Sequence, residues 1–522
     1  MKRFNVTGNC IPDENYMVDI SGKITQIRNL IDNSSYFTIN RARQYGKTTT
    51  LAMLEKAIED DYTVVSISFQ GLGDESFASP ERFCMTFTKK IQWALQFTDV
   101  EEEYAEKWVD SSIKDFMLLD RHIAKMCKGK KIVLMIDEVD QASNNRVFLH
   151  FLGMLREKYL SRRNGKDYTF HSVILAGVYD IKTMKLKMMS EGTHTPSAVE
   201  NRLYNSPWNI AVHFNVDMSF RSDEIATMLN DYESDHNTGM DITAVSQEIY
   251  DYTHGYPFLV SRICQCIDEE LDKDWTGNGV RDAVKILLIE DNTLFSDIFK
   301  NLENNLDLYK LIYDILIVGK QRTYSRGNPA VDIAEMYGIV KKNRDKTVIS
   351  NMIFEIIICN YFISKDENKQ TNDLPVVIQS DIVRSGKFDM ALCLRKFAEH
   401  YTDIYSSKNV GFVERECKFL FITYLKPLLN GYGFYHFESQ LSDERRMDIV
   451  IDFGREQFIV ELKIWHGEKK HSEAYSQLCE YLESMHISTG YLLTFDFRKE
   501  QNKEHRAEWI EYDGKKIYDV II

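Results

Sequence analysis

The feature that most constrains the fold of this chain is an alternation of short β-rich runs with helix-length amphipathic stretches over the first 230 residues. The β-rich runs are residues 36–40, 63–69, 131–137, 173–178 and 210–216. Residues 132–136 are apolar without interruption, which is typical of a strand buried on both faces. Strands that alternate with helices predict a parallel sheet with both faces covered. We therefore expect an α/β fold here.

Length and composition indicate a folded protein of several domains. A chain of 522 residues is too long for one hydrophobic core, and its 44% hydrophobic and 27% charged content is typical of soluble proteins. The absence of a long apolar run and of an apolar leader predicts no membrane span and no signal peptide. Nine scattered cysteines favour reduced thiols, so we expect a cytoplasmic protein.

The net charge of −15 argues against a surface covered by nucleic acid, because phosphate contacts need Lys and Arg. It does not exclude a local basic groove, since net charge describes steering and solubility rather than any single site.

A phosphate-binding loop is predicted directly after the first strand. Gly46, Lys47 and Thr48 stand between a predicted strand and a predicted helix, the context that a P-loop requires. Backbone N–H groups at a helix N-terminus can cradle phosphate oxygens. Lys47 would reach the β- and γ-phosphates and Thr48 would bind Mg²⁺. Arg41 stands where the usual pattern has glycine, so it either tolerates the turn or crowds the phosphates, and a chance Gly-Lys-Thr remains the alternative.

A second nucleotide motif follows the most apolar run. Asp137 and Glu138 end that predicted strand, where Asp137 could hold Mg²⁺ through water and Glu138 could polarise the attacking water. The alternative is an ordinary strand followed by a polar turn. Two such motifs about ninety residues apart in a β/α array favour ATP hydrolysis.

The loop also carries a family resemblance. Residues 16–20 (Tyr-Met-Val-Asp-Ile) and residues 36–48, with Arg41, Arg43, Gly46, Lys47 and Thr48, resemble the bacterial AAA-ATPase-like family. In that family an Arg-x-Arg-x-x-Gly-Lys-Ser/Thr loop replaces the glycine-rich form. The resemblance covers roughly residues 1–360 and implies an additional-strand ATPase that works as a homo-oligomer. The residues expected to bind ATP are Arg43, Gln44, Gly46, Lys47, Thr48, Thr49 and Asp137.

Other nucleotide contacts stay open at this level. Tyr179 and Asp180 stand where a phosphate sensor often lies, and residues 255–257 (Gly-Tyr-Pro) stand where related ATPases contact the base from a lid. For both features the sequence favours a structural role over a functional one. An arginine finger could be Arg162, Arg163 or Arg202, and three solvated charges explain them as well.

Four domains are predicted along the chain: a P-loop ATPase core at residues 1–220, a helical lid at 221–298, a helical or winged-helix-like linker domain at 299–384, and a nuclease-like domain at 385–522. Helical periodicity at residues 223–230, 244–253 and 258–271 supports the lid. Residues 348–363 are predicted to be helical, and the polar run at 365–373 is predicted to be a surface loop.

The C-terminal region holds a constellation of charged residues on predicted strands. Glu461 and Lys463 are two residues apart on the strand predicted at 458–463, so they share one face. Asp448, on the strand predicted at 447–452, could meet Glu461 and share one or two Mg²⁺ ions with it. Lys463 could orient the attacking water or stabilise developing negative charge. An edge strand with ordinary surface charges is the alternative.

This constellation resembles the PD-(D/E)XK nuclease superfamily. Asp448, then Glu461-x-Lys463, in a predicted αβββαβ order (414–429, 433–438, 447–452, 458–463, 473–485 and 491–495) carry the resemblance. Gln477 and Tyr481 share one helix face, which packs toward the site in related nucleases. Glu414 is a possible extra metal ligand, with Glu416 as its competitor. Basic and aromatic residues nearby either guide a phosphate backbone or form a solvated loop: Arg445, Arg446, Trp465, His466, Lys469, Lys470 and His471.

The sequence therefore predicts a Mg²⁺- or Mn²⁺-dependent nuclease, acting on nucleic acid and on DNA in particular, that is controlled by an ATPase. The resemblance implies a role in bacterial defence against phage or mobile DNA. The alternative is a nucleotide-dependent switch whose nuclease fold binds DNA or a partner without cutting. ATPase function unconnected to nucleic acid is the third hypothesis.

Overall fold

The structure is a computed structural model, and it describes ten stretches of the chain. These are residues 2–142, 145–178, 208–317, 320–367, 382–384, 387–405, 414–429, 433–436, 449–498 and 506–522. The chain divides into two compact units. Unit 1 holds Met1–Tyr250, His254–Glu270 and Asp332–Ile339, and unit 2 holds Asp251–Thr253, Leu271–Val331 and Val340–Ile522.

Unit 1 is built on a parallel sheet of four strands: β1 (Tyr36–Asn40), β2 (Thr63–Ser68), β3 (Ile132–Asp137) and β4 (Ser172–Gly177). Their order in the sheet is β1-β4-β3-β2, so β4 is inserted between β1 and β3. β3 and β4 are buried along their whole length, as the apolar runs predict. The parallel α/β fold predicted from the alternation is confirmed.

The fifth predicted strand is wrong as a strand. Among the described residues, the only strand pairing of residues 210–216 is an isolated parallel bridge between Phe37 and Val212. The segment lies between Trp208 and Asp217, and its other residues form no β-ladder with the described strands. The ring of Phe214 nevertheless stacks on the ring of Phe37, with 5.9 Å between the ring centres. The β-like composition therefore reflects packing beside β1 rather than continuous hydrogen bonding.

Several helices of unit 1 begin at side-chain caps. Ser79, Asp115 and Asn145 each accept a hydrogen bond from a backbone N–H of the helix that follows. Aromatic side chains from these helices, with Trp108, form the core against β2 and β3. The helices are Ser21–Asp32, Lys47–Ile58, Pro80–Leu95, Glu102–Glu106, Phe116–Cys127, Arg146–Arg163, Ser222–His236, Ile242–Thr253 and Pro257–Glu269, with 3₁₀ turns at Asp74–Phe77 and Val139–Ala142.

A glycine fixes the turn between the last two of these helices. Gly255 has φ +71°, and a Cβ at this position would lie 1.8 Å from the carbonyl oxygen of Phe220. Phe220 N–H also donates to the carbonyl oxygen of Gly255 at 2.8 Å. The close backbone approach explains why the residue before Tyr256 is glycine.

Unit 2 begins with helices and a small antiparallel sheet. The helices Gly277–Ile289, Thr293–Asn304 and Leu306–Leu316 precede β5 (Arg322–Thr323), β6 (Val340–Asn343) and β7 (Lys346–Ile349), in the order β5-β7-β6. Helix Pro329–Met336 spans both units, and helix Met352–Glu367 follows.

The predicted helix at residues 348–363 starts too early. Val348 and Ile349 belong to β7, and the helix begins only after Asn351, whose side chain accepts from Phe354 N–H at 2.9 Å. Asn351 therefore acts as the N-cap, and the helix begins after it rather than at Val348. Of the predicted loop at 365–373, residues 365–367 belong to this helix and the rest lies outside the described residues.

The C-terminal part of unit 2 carries a six-stranded mixed sheet in the order β10-β11-β12-β13-β15-β14. Its strands are β10 (Gly433–His436), β11 (Ile449–Phe453), β12 (Glu456–Ile464), β13 (Thr489–Phe495), β14 (Arg506–Tyr512) and β15 (Lys515–Ile521). Its helices are Met390–Tyr405, Glu414–Leu429 and Glu468–Ser484, and a hairpin of β8 (Val383–Arg384) and β9 (Lys387–Phe388) precedes them.

The succession from helix Glu414–Leu429 to β13 confirms the αβββαβ order. β12 and β13 are parallel and are joined by helix Glu468–Ser484, whose Leu478 and Leu482 pack with Ile459 of β12. β14 and β15 were not predicted, and β15 extends the sheet by pairing in parallel with β13.

Within the described stretches, none of the helices is both long and apolar enough to cross a bilayer. Eight cysteines of the same stretches are free thiols, and all except Cys10 are buried.

Candidate functional site

The predicted phosphate loop turns sharply between β1 and the helix Lys47–Ile58. Gln44 and Gly46 have positive φ angles of 55° and 70°, and Gly46 O accepts from Thr50 N–H at 2.9 Å. The ammonium of Lys47 donates to the carbonyl oxygens of Arg41 and Ala42 at 3.1 and 2.9 Å. A buried lysine thus lies across the loop that precedes it.

The two predicted nucleotide motifs meet in the structure. The Thr48 hydroxyl donates to Asp137 Oδ2 at 2.8 Å, although 89 residues separate them. Asp137 Oδ1 accepts from the backbone N–H of Glu138 at 2.9 Å, and Glu138 has φ 54°. A hydroxyl and a carboxylate at this separation are hard oxygen donors that suit Mg²⁺, which keeps several of its waters.

Three carboxylates surround the loop lysine. Burial lowers the pKa of Lys47, and the charges of Asp140, Glu138 and Asp137 oppose that shift. Burial raises the pKa of Glu138, and the neighbouring charge of Asp137 raises it further. A carboxylate whose pKa is raised in this way is better suited to accept a proton from water than an exposed one.

Asp140 was missed by the sequence reasoning. Its Oδ2 accepts from Val178 N–H at 2.7 Å, just past the end of β4, and a Cβ on Gly177 would lie 2.8 Å from its Oδ1. Asp140 thus joins the acidic turn after β3 to the end of β4. Its position two residues after Glu138 was a visible signal, but the neighbour that gives it a role comes from another strand.

Arg41 does not take the place of a phosphate-binding glycine. Its guanidinium donates to the carbonyl oxygens of Asn40 and Val216 at 2.7 Å each and lies 5.4 Å from the ring centre of Phe214. Burial lowers the pKa of Arg41. Arg41 therefore joins the segment around Val216 to the end of β1. The turn of the phosphate loop is made by Gln44 and Gly46, which have the positive φ angles.

The other predicted loop residues meet different neighbours. Arg43 is exposed, and its carbonyl oxygen accepts from the hydroxyl of Tyr256 at 2.6 Å. The ring of Tyr256 meets Tyr45 edge-on at 4.7 Å, and Tyr45 bonds Ser219 at 2.7 Å. Thr49 Oγ1 accepts from Cys10 N–H at 3.3 Å. The Gly-Tyr-Pro turn therefore lies beside the phosphate loop.

Two of the three arginine-finger candidates lie within the described residues. Arg162 donates to the carbonyl oxygens of Ser34 and His171 at 3.0 and 2.8 Å, and Arg163 donates to the hydroxyl of Tyr159 at 3.2 Å. Both have structural contacts within unit 1. Arg202 and the sensor candidates Tyr179 and Asp180 lie outside the described residues.

In the C-terminal sheet, Glu461 and Lys463 lie on one face of β12. Ile459 of the same face packs under helix Glu468–Ser484, so the pair lies on the helix-covered side. Glu461 is 1% exposed, and its Oε1 lies 2.7 Å from the Lys463 ammonium. A carboxylate at this burial needs a cation. Lys463 supplies one, and the hard oxygens of Glu461 also suit a divalent metal.

Several predicted nuclease residues cannot be located in full. Asp448 lies outside the described residues and precedes Ile449, which pairs with Val460. Glu414 begins the helix Glu414–Leu429, but its side chain and that of Glu416 lie outside the described part. Arg445 and Arg446 also lie outside it. In the described residues, no group of three or more His, Cys, Asp or Glu side chains could hold a metal.

Gln477 and Tyr481 lie on the helix Glu468–Ser484, as predicted from their spacing. Gln477 is half-buried and Tyr481 is buried. The Tyr481 hydroxyl is enclosed and has no hydrogen-bond partner among the described residues.

A buried polar cluster beside the site was not predicted. Asp519 Oδ2 accepts from Tyr475, His471 and Arg506 at 2.7, 3.1 and 3.2 Å, and His471 also contacts Thr494 at 3.4 Å. Thr494 is the register partner of Lys463. The cluster ties the helix that covers Glu461 to β15, whose Asp519 lies on the same face of the sheet as Glu461. Its acid comes from β15, which the sequence reasoning did not foresee.

A second buried acid lies on the same face through β11. Asp452 accepts from Gln457 Nε2 at 3.1 Å and lies 3.5 Å from His436 Nδ1. Burial lowers the pKa of His436 to about 4, so its ring is neutral at neutral pH.

Two family models match the chain. The model described as an AAA-like domain matches residues 16–356, and the model described as the PD-(D/E)XK nuclease superfamily matches residues 434–507. The matches confirm the predicted fusion of an ATPase-like domain with a nuclease-superfamily domain. No curated protein matches the chain.

Several solved structures are similar at low identity. The Walker-type ATPase paby2304 of Pyrococcus abyssi is 11% identical with a TM-score of 0.46, over 67% of this chain and 98% of that one. The ORC2 protein of Aeropyrum pernix, in an ADPNP-ADP form, is 13% identical with a TM-score of 0.40, over 70% and 99%. The ORC1 protein of Aeropyrum pernix, in complex with DNA, is 13% identical with a TM-score of 0.30, over 68% and 94%.

Proposed function

Because the chain belongs to the AAA-like domain family, we propose that it hydrolyses ATP in unit 1 and that nucleotide state gates a metal-dependent nuclease in its C-terminal domain. The substrate that we propose is DNA. The observation that carries the proposal is the 2.8 Å contact of Thr48 with Asp137, which unites two nucleotide motifs in one site.

At the ATPase site, the side chains of this chain supply binding, orientation and proton acceptance. Lys47 exchanges its loop carbonyl partners for phosphate oxygens, and Thr48 and Asp137 provide oxygen donors for Mg²⁺. The metal would neutralise phosphate charge as the bond to the leaving group breaks. Glu138 orients the attacking water and takes its proton, a role supported by its raised pKa.

At the nuclease site, we propose that Asp448 and Glu461 bind Mg²⁺ or Mn²⁺ and that Lys463 orients the water that attacks the phosphorus. A metal held by these carboxylates would supply polarisation of the scissile phosphate and a lower pKa for bound water. Glu461 and Lys463 lie 2.7 Å apart, so the lysine supplies a countercharge to the buried carboxylate proposed as a metal ligand. Gln477 and Glu414 are proposed to support this site from the two helices.

The test is cleavage of linear and circular DNA by the purified full chain with Mg²⁺ or Mn²⁺, with and without ATP. We expect Glu461→Ala to reduce cleavage by roughly 10³-fold, since loss of a metal ligand removes several kcal/mol of transition-state stabilisation. Lys47→Ala should abolish the response to ATP. Controls of the same residue types are Glu456→Ala at the exposed start of β12 and Lys56→Ala on the exposed side of the loop helix.

Cleavage that survives Glu461→Ala would refute the nuclease assignment. Cleavage that depends on Glu461 but responds equally to ATP in the Lys47→Ala protein would refute the gating. Nucleotide-dependent DNA binding with no cleavage product under any condition would favour the non-cutting switch instead.

For the biological role we propose defence of a bacterial cell against phage or mobile DNA. The support is the joining of a nucleotide-responsive domain to a nuclease-superfamily domain in one chain. Host protection that persists with Asp448→Ala would contradict a role for the nuclease in that defence.

A further inference from the structure

A strongly basic hairpin stands out in a chain of net charge −15. Residues 320–328 and 340–346 contain seven Lys and Arg residues, and Asp345 is their only acid. Four of the cations lie on or beside the turn between β6 and β7: Lys341, Lys342, Arg344 and Lys346. We call residues 340–346 the basic hairpin.

The hairpin displays its charges on both faces and at its tip. Asn343 pairs with Lys346, so the turn is Arg344-Asp345, and Arg344 has φ 53°. Lys341 and Lys346 share one face by strand alternation, and Lys342 lies on the other. Lys342 and Arg344 are exposed, and the Lys342 ammonium lies 5.6 Å from the ring centre of Tyr324. A short two-stranded ladder and its turn therefore carry four cationic side chains.

Neighbouring cations of the same sheet are partly neutralised. Lys320 and Arg322 both form ion pairs with Asp314, at 3.4 Å for Lys320. The hairpin itself lies within unit 2 together with the nuclease-superfamily domain.

We propose that the basic hairpin contacts the phosphate backbone of a nucleic-acid duplex, an inference that rests on the proposed function because it recruits the substrate of the nuclease. A duplex presents one negative charge per about 1.7 Å of its axis. Closely spaced cations such as those of the basic hairpin can therefore contact several phosphates at once. Single-strand binders add aromatic side chains for base stacking. The one aromatic residue of residues 320–328 and 340–346, Tyr324, is half-buried beside Lys342.

A plainer role would be protection of a sheet edge. β6 is an edge strand of its three-stranded sheet, and lysines on edge strands discourage pairing with other chains. The two roles predict different behaviour when the charges are removed. Loss of edge protection causes self-association, whereas loss of a phosphate contact changes the salt dependence of DNA binding.

The experiment measures binding of a mixed-sequence DNA duplex to the full chain by fluorescence anisotropy, in EDTA and in a Glu461→Ala background. No cleavage can occur under these conditions, so the assay reports on binding alone. The nuclease assignment is tested separately, by the cleavage assay of the unmodified chain. The test protein carries Lys341→Gln, Lys342→Gln, Arg344→Gln and Lys346→Gln. The control carries the same charge change at four exposed lysines of unit 1: Lys56, Lys89, Lys114 and Lys166.

We expect the hairpin variant to bind about tenfold or more weakly at ~100 mM salt, with the slope of log affinity against log salt reduced by about 2 to 4. The control should bind with nearly the affinity of its parent. Equal binding by both variants would overturn the proposal, and equal binding with self-association of the hairpin variant would assign edge protection instead. A parent that binds single strands or anionic phospholipid vesicles through the hairpin, but not the duplex, would overturn it as well.

Discussion

The nucleotide site and the nuclease site are assembled over very different distances along the chain. In unit 1, the phosphate loop contacts Asp137 and Tyr256, and Asp140 beside Asp137 accepts from Val178 N–H, so three separate parts of the sequence join the loop. The described nuclease residues all lie between Asp452 and Asp519 in one sheet and its helix. The first site therefore depends on many long-range packing contacts, and the second on a local unit that a few buried ions hold together.

The largest loss of stability is expected from removing Asp519, the buried acid on which the polar cluster beside the nuclease site depends. Asp519→Ala leaves Arg506, His471 and Tyr475 without their shared acceptor, so we expect a loss of about 3 kcal/mol of folding free energy. Urea unfolding followed by tryptophan fluorescence would measure it. Glu508→Ala, an exposed acid on β14 near the same arginine, is the control. Similar losses in both variants would show that the cluster does not anchor the helix.

Gly255→Ala tests the long-range assembly of the nucleotide site. The added Cβ would collide with the carbonyl oxygen of Phe220 and would need a positive φ, so we expect a loss of about 2 kcal/mol. ATP binding should weaken as Tyr256 moves away from Arg43. Gly22→Ala, in a helix with open space around its Cβ, should stabilise by about 0.5 kcal/mol. Calorimetry and nucleotide titration would measure both, and unchanged ATP affinity in Gly255→Ala would separate the turn from the site.

Asp140→Asn asks whether the link between β3 and β4 positions the catalytic groups. Its amide can preserve the shape but removes a charge that opposes the burial of Lys47. We expect kcat for ATP hydrolysis to fall by about tenfold, or about 1.4 kcal/mol, with KM changed less. Asp60→Asn, an exposed acid after the loop helix, is the control. A tenfold change in KM with no change in kcat would indicate that Asp140 acts only in binding.

The smallest effect concerns pH. The pKa of Glu138 is raised, so its carboxylate should protonate at a higher pH than an ordinary glutamate as the pH falls. ATP hydrolysis should therefore be lost on the acid side earlier than an exposed glutamate would allow. A pH profile of kcat tests this, with Glu138→Gln as the reference that lacks the group. An acid limb that is identical in the two proteins would remove Glu138 from the role of proton acceptor.

Sequence reasoning performed best where the information is local. A strand, then Gly-Lys-Thr, then a helix places Lys47 and Thr48 through chemistry contained in a dozen residues. Alternation alone placed Glu461 and Lys463 on one face. The family fusion and the α/β fold were also correct, because the motifs and their order are specific.

Errors arose where neighbours in space are distant in sequence. Residues 210–216 have the composition of a strand but form one bridge, since packing beside β1 replaces a ladder. Asp140 and Asp519 acquire their roles from β4 and from helix Glu468–Ser484, which their own surroundings in the sequence do not reveal. The four-domain division and the roles of the individual site residues stay predictions.

The hydrogen bond from Tyr256 to the carbonyl oxygen of Arg43 has a consequence for the order of synthesis on the ribosome. The phosphate loop is made early, but its tyrosine support is encoded more than two hundred residues later. At about 5–20 residues per second, the nascent loop waits roughly 10 to 40 s for that partner. A contact so distant in sequence is expected to form late in folding, after the sheet that carries the loop.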